Sequence, residues 1–540
     1  MAPDLPPLEK HLVVSCFIFK SNDPSEEPEA KHKKPEVEVA LFKRSDEVHT
    51  YPNHLAPISG TIESIDACPL AAAWRELQEE TGLDTKTLTH WRTGKPFTFP
   101  DPSVHREWTI HPFAFKLTSP NTTSITPNWE HTDWEWYDPQ DMITTTNNSI
   151  RTVPRLRASL RRVYFESTFP PRAAATLSCG LDRLRNDHGS GAQELTSSAL
   201  LIFRDFILQM NNVLVAYPED SWKKLRLAAW HIIKNGRESM GAATMNALIA
   251  VLQEIEEIQE DEKARTKCGN HTWERVLMVL DHHLASRTSR AEQVKEGFTH
   301  YLRFRFGEAK EKLTILTVSA SSTIRDSILD AYAALEIGAL ELRVLESRPL
   351  FEGVSVAASV VSGFRSRFKD TPGKELKVKV YTDASAAVAA EGVDLLLLGA
   401  DRISAMKGVS NKTGSLPAAL SVRNVSPEAQ VVVLSDLDKI NCPGSVVDDE
   451  HEEENDPAEV VSAWRNDGVN AVKVLEEAMK GTYLEGEALS TVQVKNVYFE
   501  WVPLYMVDAF VSEEGVMDES RIREKSLELG ETVGRYFDDL

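Results

Sequence analysis

Apolar residues alternate with polar ones through much of the first 165 residues, and this period-two pattern is typical of β-strands. It predicts strands at residues 12–19, 37–42, 108–117 and 134–137. The charged segment 22–36 is expected to form a loop between the first two strands. A single amphipathic helix follows a turn at Gly60. These elements predict an α/β domain over residues 1–165.

The pattern changes to helical spacing between residues 176 and 310. Leu200, Phe203 and Ile207 recur at intervals of three and four residues, as do Met245, Leu248 and Leu252 later in the segment. We therefore expect a helical subdomain over residues 176–310. The segment 166–175 contains two adjacent prolines and is predicted to be a linker.

Beyond residue 311, short apolar strands alternate with helix-length segments. The predicted strands are 313–318, 340–345, 376–381, 393–398 and 429–434. This alternation indicates crossover connections and a mainly parallel, Rossmann-like sheet over residues 311–540. A later strand at 492–499 is expected to extend that sheet, and the acidic stretch 447–459 is expected to be an exposed loop.

Three carboxylates gather on the predicted helix after Gly60. In the sequence Arg75-Glu76-x-x-Glu79-Glu80-x-Gly82, the second and third glutamates lie three and four residues after the first. Side chains at that spacing share one helix face, where like charges repel unless a cation lies among them. Mg²⁺ prefers such oxygen ligands. A simple solvated helix face is the alternative for this motif taken alone.

Polar residues also follow the strands of the predicted parallel sheet. In such sheets, ligands bind beyond the carboxyl ends of the strands. The hydroxyls, amides and cations at these ends suit a phosphorylated ligand. The candidate residues are Ser319, Ser321, Glu346, Arg348, Asp401, Asn411 and Lys412. Each loop taken separately is equally consistent with a structural helix cap. Lys439, after another strand end, is expected to be solvated.

The bulk properties narrow the class of protein. A chain of 540 residues is too long for one ordinary domain, and a formal net charge of −22 argues against direct nucleic-acid or anionic-membrane binding. No apolar run approaches the ~20 residues that span a bilayer. The N-terminal residues lack the pattern of a secretory signal, and five scattered cysteines fit a reducing compartment. A cytoplasmic protein is expected.

Together with its context, the carboxylate motif resembles the Nudix box. Gly60 and Asp66 precede Arg75, and Gly82 ends the helix. Asp66 stands where the family has Glu, and the interval from Gly60 to Arg75 is one residue longer than usual. The resemblance implies an α/β/α sandwich that uses Mg²⁺ or Mn²⁺ to hydrolyse a nucleoside diphosphate derivative. It implies metal ligation by Glu76, Glu79 and Glu80, catalytic roles for Glu79 or Glu80, and orientation of the cluster by Arg75.

The remainder of the chain, roughly residues 175–540, resembles another family. The motifs are Glu346-Ser-Arg-Pro-Leu-Phe-Glu-Gly, Gly399-Ala-Asp-Arg-Ile, Asn411-Lys-Thr-Gly and Asn496-Val-Tyr-Phe-Glu. They are similar to the α, β and δ subunits of translation initiation factor 2B and to the related sugar-phosphate isomerases. In the isomerases, a Cys and an Asp transfer protons. Asp401 matches that Asp, whereas Ser319 replaces the Cys and is a weaker acid and base.

Taken together, these observations predict a multidomain α/β protein with two functional modules. The first is expected to be a metal-dependent pyrophosphohydrolase. The second is expected to bind a phosphorylated sugar or nucleotide, with isomerisation of that ligand left open, and to form a homo-oligomer as the resemblance implies. The alternative is a non-catalytic regulatory protein related to the initiation factor subunits, which would act through protein contacts.

Overall fold

The computed structural model describes residues 8–22, 36–120, 123–145, 150–216, 218–264, 272–307, 310–318, 322–442, 455–479 and 492–540. The chain divides into two compact units. The first unit comprises residues 1–182, 205–235 and 540, and the second comprises 183–204 and 236–539. Helices of the segment 176–310 therefore contribute to both units, a grouping that the linear sequence does not indicate.

The first unit is built mainly on a mixed sheet with three accompanying helices. Its elements in chain order are β1 (Glu9–Ser21), β2 (Val37–Arg44), β3 (Leu55–Ala56), β4 (Ile58–Thr61), α1 (Pro69–Thr81), β5 (Leu88–Thr93), β6 (Phe97–Asp101), β7 (Arg106–Leu117), β8 (His131–Tyr137), α2 (Pro139–Thr144) and α3 (Leu156–Val163). The four strands predicted in this region are confirmed, each within a few residues. The predicted loop at 22–36 lies almost wholly outside the described residues.

The first sheet has the strand order β3-β2-β1-β7-β5, with β4 paired to β1, β6 to β7 and β8 to β2. The long central strands β1 and β7 run parallel, and the other pairs are antiparallel. Alternate residues of β1 face opposite sides, so Ile18 packs with Leu77 of α1 while Phe19 packs with Leu160 of α3. This arrangement is the predicted sandwich of helices on both faces of a sheet.

Five long helices follow. They are α4 (Pro171–Asn186), α5 (Ala192–Ala216), α6 (Pro218–Asn235), α7 (Gly241–Ala264) and α8 (Thr272–Phe306). The prediction of a linker at 166–175 is wrong, because α4 begins at Pro171. Proline is favourable at the first helical position. An N–H group there has no hydrogen-bond partner within the helix, so little is lost without it, and the fixed φ of proline suits the helix.

The second unit contains a seven-stranded sheet between helices. Its elements are β9 (Lys312–Thr317), α9 (Ser322–Ala334), β10 (Ala339–Leu345), α10 (Glu352–Arg367), β11 (Glu375–Tyr381), α11 (Ala386–Ala390), β12 (Leu395–Leu398), β13 (Arg402–Ser404), β14 (Gly408–Lys412), α12 (Ser415–Val425), β15 (Gln430–Leu434), β16 (Ile440–Asn441), α13 (Pro457–Asn466), α14 (Val472–Met479), β17 (Phe499–Val502), β18 (Ala509–Ser512), β19 (Gly515–Met517) and α15 (Glu519–Phe537). The strand order is β11-β10-β9-β12-β15-β18-β19.

This sheet is parallel except for its last pair, which confirms the predicted architecture. Its two faces carry separate apolar clusters. Leu395 and Leu397 of β12 pack on one side, and Leu396 and Leu398 on the other. Strands buried on both faces read as continuous apolar runs, and the four consecutive leucines of β12 are such a run.

Two predictions about local structure are wrong. The strand expected at 492–499 begins only at Phe499 and pairs with β14 in a second sheet, ordered β16-β13-β14-β17. The large sheet is extended by β18 instead. The acidic stretch 447–459 lies largely outside the described residues, but its last three residues open helix α13.

Within the described ranges, no helix is both long enough and apolar enough to cross a membrane. The four cysteines that the structure describes, Cys16, Cys68, Cys179 and Cys442, are free thiols.

Candidate functional site

Helix α1 carries the carboxylate motif, and the local sequence explains where it begins and ends. Pro69 occupies the first turn, and Gly82 stops the helix with φ of 71°, a left-handed conformation that glycine adopts without a Cβ penalty. Ala73 and Leu77 are buried against the sheet, while Leu70 and Trp74 pack at the edge of the same cluster. Glu76 and Glu80 of the motif are buried next to this apolar face, whereas Glu79 is turned outward.

Arg75 lies among three carboxylates. Its guanidinium donates two hydrogen bonds to Asp66, at 3.1 and 2.9 Å, and one to Glu76 Oε1 at 2.7 Å. A longer bond of 3.3 Å reaches Glu79. These bonds raise the pKa of Arg75, chiefly through Asp66, and the bond from Arg75 lowers the pKa of Asp66. Asp66 therefore holds Arg75 in the bidentate manner that a carboxylate permits.

Glu80 lies on the buried side of the helix and is 2% exposed. Burial raises its pKa well above the usual value, and the charges of Glu130 and Glu76 add to that rise. Burial likewise raises the pKa of Glu76. His131 Nδ1 is 3.4 Å from Glu80 Oε2, but neither atom has a hydrogen-bond partner among the residues described. Burial lowers the pKa of His131 to about 4, so its imidazole is neutral at pH 7.

Gly60 lies directly against the carboxylate of Glu76. A Cβ placed on Gly60 would come within 1.9 Å of Glu76 Cδ, a distance that atoms cannot share. Gly60 does not have a positive φ. Glycine is required at this position because there is no space for a side chain. The first glycine of the motif is needed because the backbone of β4 approaches the glutamates of the helix closely.

The carboxylate oxygens of Glu76, Glu79 and Glu80 are chemically suitable ligands for a divalent cation. They do not, however, form a preformed metal-binding cluster. In the described part of the chain, no group of three or more Asp, Glu, His or Cys side chains converges as a metal site. Glu79 is turned outward with 58% of its side chain exposed, and Arg75 supplies the local positive charge. However, Glu80 Oε2 is buried without a partner beside Glu76, and a carboxylate in that position is stabilised by a cation.

A cleft of about 100 Å³ lies in the first unit, and Arg44 contributes to its wall. Arg44 pairs across the strands with His131, which lies 3.4 Å from Glu80 of α1. Ser59, the residue before Gly60, contributes to its wall. Aromatic and apolar side chains dominate the remainder, together with two arginines and several hydroxyl groups. The lining residues are Val13, Val14, Ser15, Arg44, Thr50, Tyr51, Pro57, Ser59, Phe97, Phe99, Trp108, Ile110, Val153, Pro154, Arg155, Leu156 and Ser159. Sequence reasoning missed this cleft, because its residues come from seven separate segments.

In the second unit, Asp401 is partly buried, and that burial raises its pKa. The positive charges of Lys439, Lys412 and Arg237 oppose the rise. Lys439 donates a hydrogen bond to the carbonyl of Ala400 and is 13% exposed, so the expectation that it is solvated is wrong. The turn that carries Lys439 packs against the rest of the unit, which a pattern around one lysine cannot reveal.

Lys412 and Asn411 lie on β14, next to the start of α12. Lys412 forms an ion pair of 3.0 Å with Glu352, and Asn411 donates to Ser415 Oγ at 2.8 Å. Glu500, from β17, accepts hydrogen bonds from the backbone N–H groups of Gly414 and Leu416 at the N-terminus of α12. That carboxylate satisfies the helix N-terminus, so phosphate binding there would require its displacement.

The remaining candidate residues at the strand ends interact mainly with neighbouring loop residues. Arg348 donates to Glu346 at 2.8 Å, and its side chain is 45% exposed. Asp383 accepts from the backbone N–H groups of Ser347 and Arg348, which is a structural role for the loop after β11. Ser319 and Ser321 lie outside the described residues.

The structure brings together residues that sequence reasoning treated separately or overlooked. Arg237 was not among the candidates, yet its charge acts on Asp401. In the first unit, His131 and Arg44 lie close to Glu80. The strand predicted at 134–137 begins after His131, and nothing in the sequence indicated that His131 lies near α1.

Comparisons with known proteins identify two modules in the chain. Residues 11–156 match the model of the NUDIX domain, and residues 191–519 match that of the Initiation factor 2 subunit family. The molecule is therefore a two-module α/β protein in which a NUDIX domain precedes an initiation factor 2B-like module. The second match covers more than half of the chain, and the chain therefore belongs to the Initiation factor 2 subunit family.

Several solved structures match parts of the chain at low identity. Translation initiation factor eIF-2B of Pyrococcus horikoshii OT3 is 18% identical, with 65% of this chain and 99% of that chain covered and a TM-score of 0.42. The 5-methylthioribose 1-phosphate isomerase of the same organism is 18% identical, with 66% and 87% covered and a TM-score of 0.39. An Ap4A hydrolase of C. elegans is 17% identical, with 28% and 93% covered and a TM-score of 0.21. A search of curated proteins finds no match.

Proposed function

We propose that the first module hydrolyses a nucleoside diphosphate derivative and requires Mg²⁺ or Mn²⁺. The observation that carries this proposal is the carboxylate face of α1, with Glu76 and buried Glu80 on one side and Arg75 clamped by Asp66. The adjoining aromatic cleft can hold an apolar or planar part of a substrate. The match to the NUDIX domain supports hydrolysis as the reaction class.

Each side chain has a distinct role in this proposal. Glu76, Glu79 and Glu80 would hold the metal, which supplies charge neutralisation and an acidified water for attack on the diphosphate. Glu79 is the exposed member of the set and can accept the proton of the attacking water. Arg75 orients Glu76 and Glu79 and compensates their charge.

The test is hydrolysis of a panel of nucleoside diphosphate derivatives by the full chain with Mg²⁺ or Mn²⁺. Glu79→Gln should reduce turnover by about 100-fold or more. Arg172→Gln, a change at an exposed helical position remote from α1 in sequence, is the matched control and should retain turnover. The proposal fails if the wild type cleaves none of the panel, or if Glu79→Gln cleaves as fast as wild type.

For the second module, we propose binding of a phosphorylated sugar or nucleotide near Asp401. The three cations around that carboxylate, Arg237, Lys412 and Lys439, can neutralise a phosphate. Ribose 1,5-bisphosphate and methylthioribose 1-phosphate are suitable calorimetric probes. Lys412→Gln should weaken binding about tenfold or more, because one charged contact is lost.

Whether this module also isomerises its ligand depends on Ser319 and Asp401. A serine hydroxyl is a weak proton donor, so turnover should be slow in the wild type and should rise in Ser319→Cys. Binding without turnover in both proteins would instead favour the regulatory alternative, which membership of the initiation factor family also supports. Homo-oligomerisation through this module belongs to the same proposal and is measured by analytical ultracentrifugation.

A further inference from the structure

A groove lined by three arginines adjoins the aromatic cleft of the first unit. It has a volume of about 490 Å³, and its lining residues are Ile150, Thr152, Arg155, Leu156, Arg157, Ala158 and Arg161. We call this feature the arginine groove. Its lining contains no carboxylate, which is notable in a chain with a formal net charge of −22. A local positive potential attracts anionic ligands to the groove, although the strongly acidic molecule as a whole repels them. Binding of an anion here is therefore specific to the groove.

The arginines of the groove have no acidic partner in the part of the chain that the structure describes. Among those residues, no ion pair involves Arg155, Arg157 or Arg161. Arg157 Nε is buried and has no hydrogen-bond partner there. Other arginines of the unit are paired, as Arg75 is with Asp66 and Arg92 with Glu166. Three guanidinium groups without a described carboxylate partner leave hydrogen-bond donors available to a ligand.

The groove and the cleft are adjacent, because Arg155 and Leu156 line both cavities. Arg155 also lies over the ring of Phe99 in the cleft, 5.8 Å from its centroid. The cleft in turn includes Arg44, which pairs across the strands with His131, and His131 lies 3.4 Å from Glu80. A ligand in the cleft can therefore be near the carboxylate face of α1 and near the arginine groove at the same time.

We propose that the arginine groove binds a second anionic group of the substrate, beyond the diphosphate that is cleaved. The substrate class is thus a nucleoside diphosphate derivative that carries a further phosphate. This inference rests on the proposed hydrolase function and narrows its substrate. Guanidinium groups bind phosphate through paired hydrogen bonds, and three of them around one cavity select for that additional charge.

Two matched pairs of compounds test the substrate class, since each pair differs by one phosphate: dephospho-coenzyme A with coenzyme A, and NADH with NADPH. We expect the wild-type chain to cleave the more highly phosphorylated member of at least one pair with a kcat/KM about tenfold higher, mainly through KM. Arg161→Gln should reduce that preference to about twofold. Arg161 is exposed, so this variant is expected to fold.

Arg172→Gln is the matched control, because it removes the same charge from another exposed helical position. It should keep the wild-type preference. Equal kcat/KM within both pairs for the wild type, or an equal loss in Arg172→Gln, would overturn the arginine groove as a binding site while leaving hydrolysis intact.

Calorimetry with inorganic tripolyphosphate, in the presence of EDTA, separates the two proposals. Binding to the wild type that falls about tenfold in Arg157→Gln/Arg161→Gln supports the groove even if no substrate is cleaved, in which case only the hydrolase function fails. Binding that is unchanged in this double variant shows that the anion binds elsewhere, and the groove proposal is then rejected.

Discussion

Neighbouring glutamates on one helix acquire different properties because the fold exposes one and buries the others. Glu79 is exposed and contacts Arg75, whereas Glu80 is enclosed near His131 and has a raised pKa. The spacing of the motif predicts that these side chains share a face. It does not predict which one meets solvent, since that depends on how α1 packs on the sheet.

Gly60→Ala provides a direct residue-scale prediction. The added methyl group would overlap the carboxylate of Glu76 and displace it, while the remaining fold stays intact. We expect hydrolysis to fall about 100-fold, because small displacements of reacting groups have effects of that size. Steady-state kinetics and thermal unfolding measure the two quantities. Gly191→Ala is the control, since a Cβ there meets nothing within 4 Å; equal activity of the two variants would contradict the prediction.

His231 is fully buried beside Phe165, and its Nδ1 lies 3.0 Å from the Asn235 amide nitrogen. Burial lowers its pKa to about 3, and the charges of Arg92 and Arg162 contribute. In the unfolded chain the pKa of His231 is about 6.5, so below that pH the unfolded state binds a proton that the folded state does not. The contribution of neutral His231 to the free energy of unfolding is therefore complete above pH ~6.5 and is lost as the pH falls toward 3. Between pH 7 and pH 5 the loss from this group is about 2 kcal/mol.

His231→Gln should therefore flatten the dependence of the unfolding free energy on pH over that range. Urea denaturation at pH 7 and pH 5 measures the difference between wild type and variant. His49→Gln, at an exposed position, should leave the wild-type slope unchanged. A slope in His231→Gln that equals the wild type would show that this imidazole does not remain neutral in the folded state.

At the scale of elements, β5 is joined to the helices that follow the sandwich by one buried side chain. Arg92 donates to Glu166 at 2.8 and 2.7 Å, to the carbonyl of Val163 at 3.1 Å and to Ser178 at 2.9 Å. The rings of Trp91 and Phe165 lie 3.9 and 3.8 Å from its guanidinium carbon. Helix α4 thus packs with the first unit, although the sequence pattern assigns the segment after residue 176 to a separate subdomain.

Arg92→Met should destabilise the first unit by about 3–5 kcal/mol, because Glu166 would keep its charge without a partner. Hydrogen exchange of β5 and α4 measures the effect on that unit specifically. Arg172→Met at the exposed start of α4 should change the exchange rates little. If both variants exchange alike, the Arg92 network does not stabilise these elements.

At the scale of the whole molecule, the two candidate sites are built from different compact units. Residues around Glu76 all belong to the first unit, and residues around Asp401 all belong to the second. Each site therefore has its own scaffold and its own set of charged groups.

A reciprocal experiment follows from this separation. Glu79→Gln should abolish hydrolysis and leave the binding of ribose 1,5-bisphosphate within about twofold of wild type, and Lys412→Gln should do the reverse. Calorimetry and hydrolysis assays on the same preparations provide both readouts. Loss of both functions in either single variant would show that the sites are coupled.

By itself, the sequence determined the two modules, the carboxylate helix, four strands of the first sheet and five strands of the seven-stranded sheet. It could do so because periodicity and motif spacing are local properties of the chain. Tertiary structure alone decided which helices join which unit, that β17 leaves the large sheet, and that Lys439 and Arg237 lie near Asp401. It also decided the arginine groove and the aromatic cleft. Such features depend on contacts between residues distant in sequence, and burial and charge at those contacts set the chemistry.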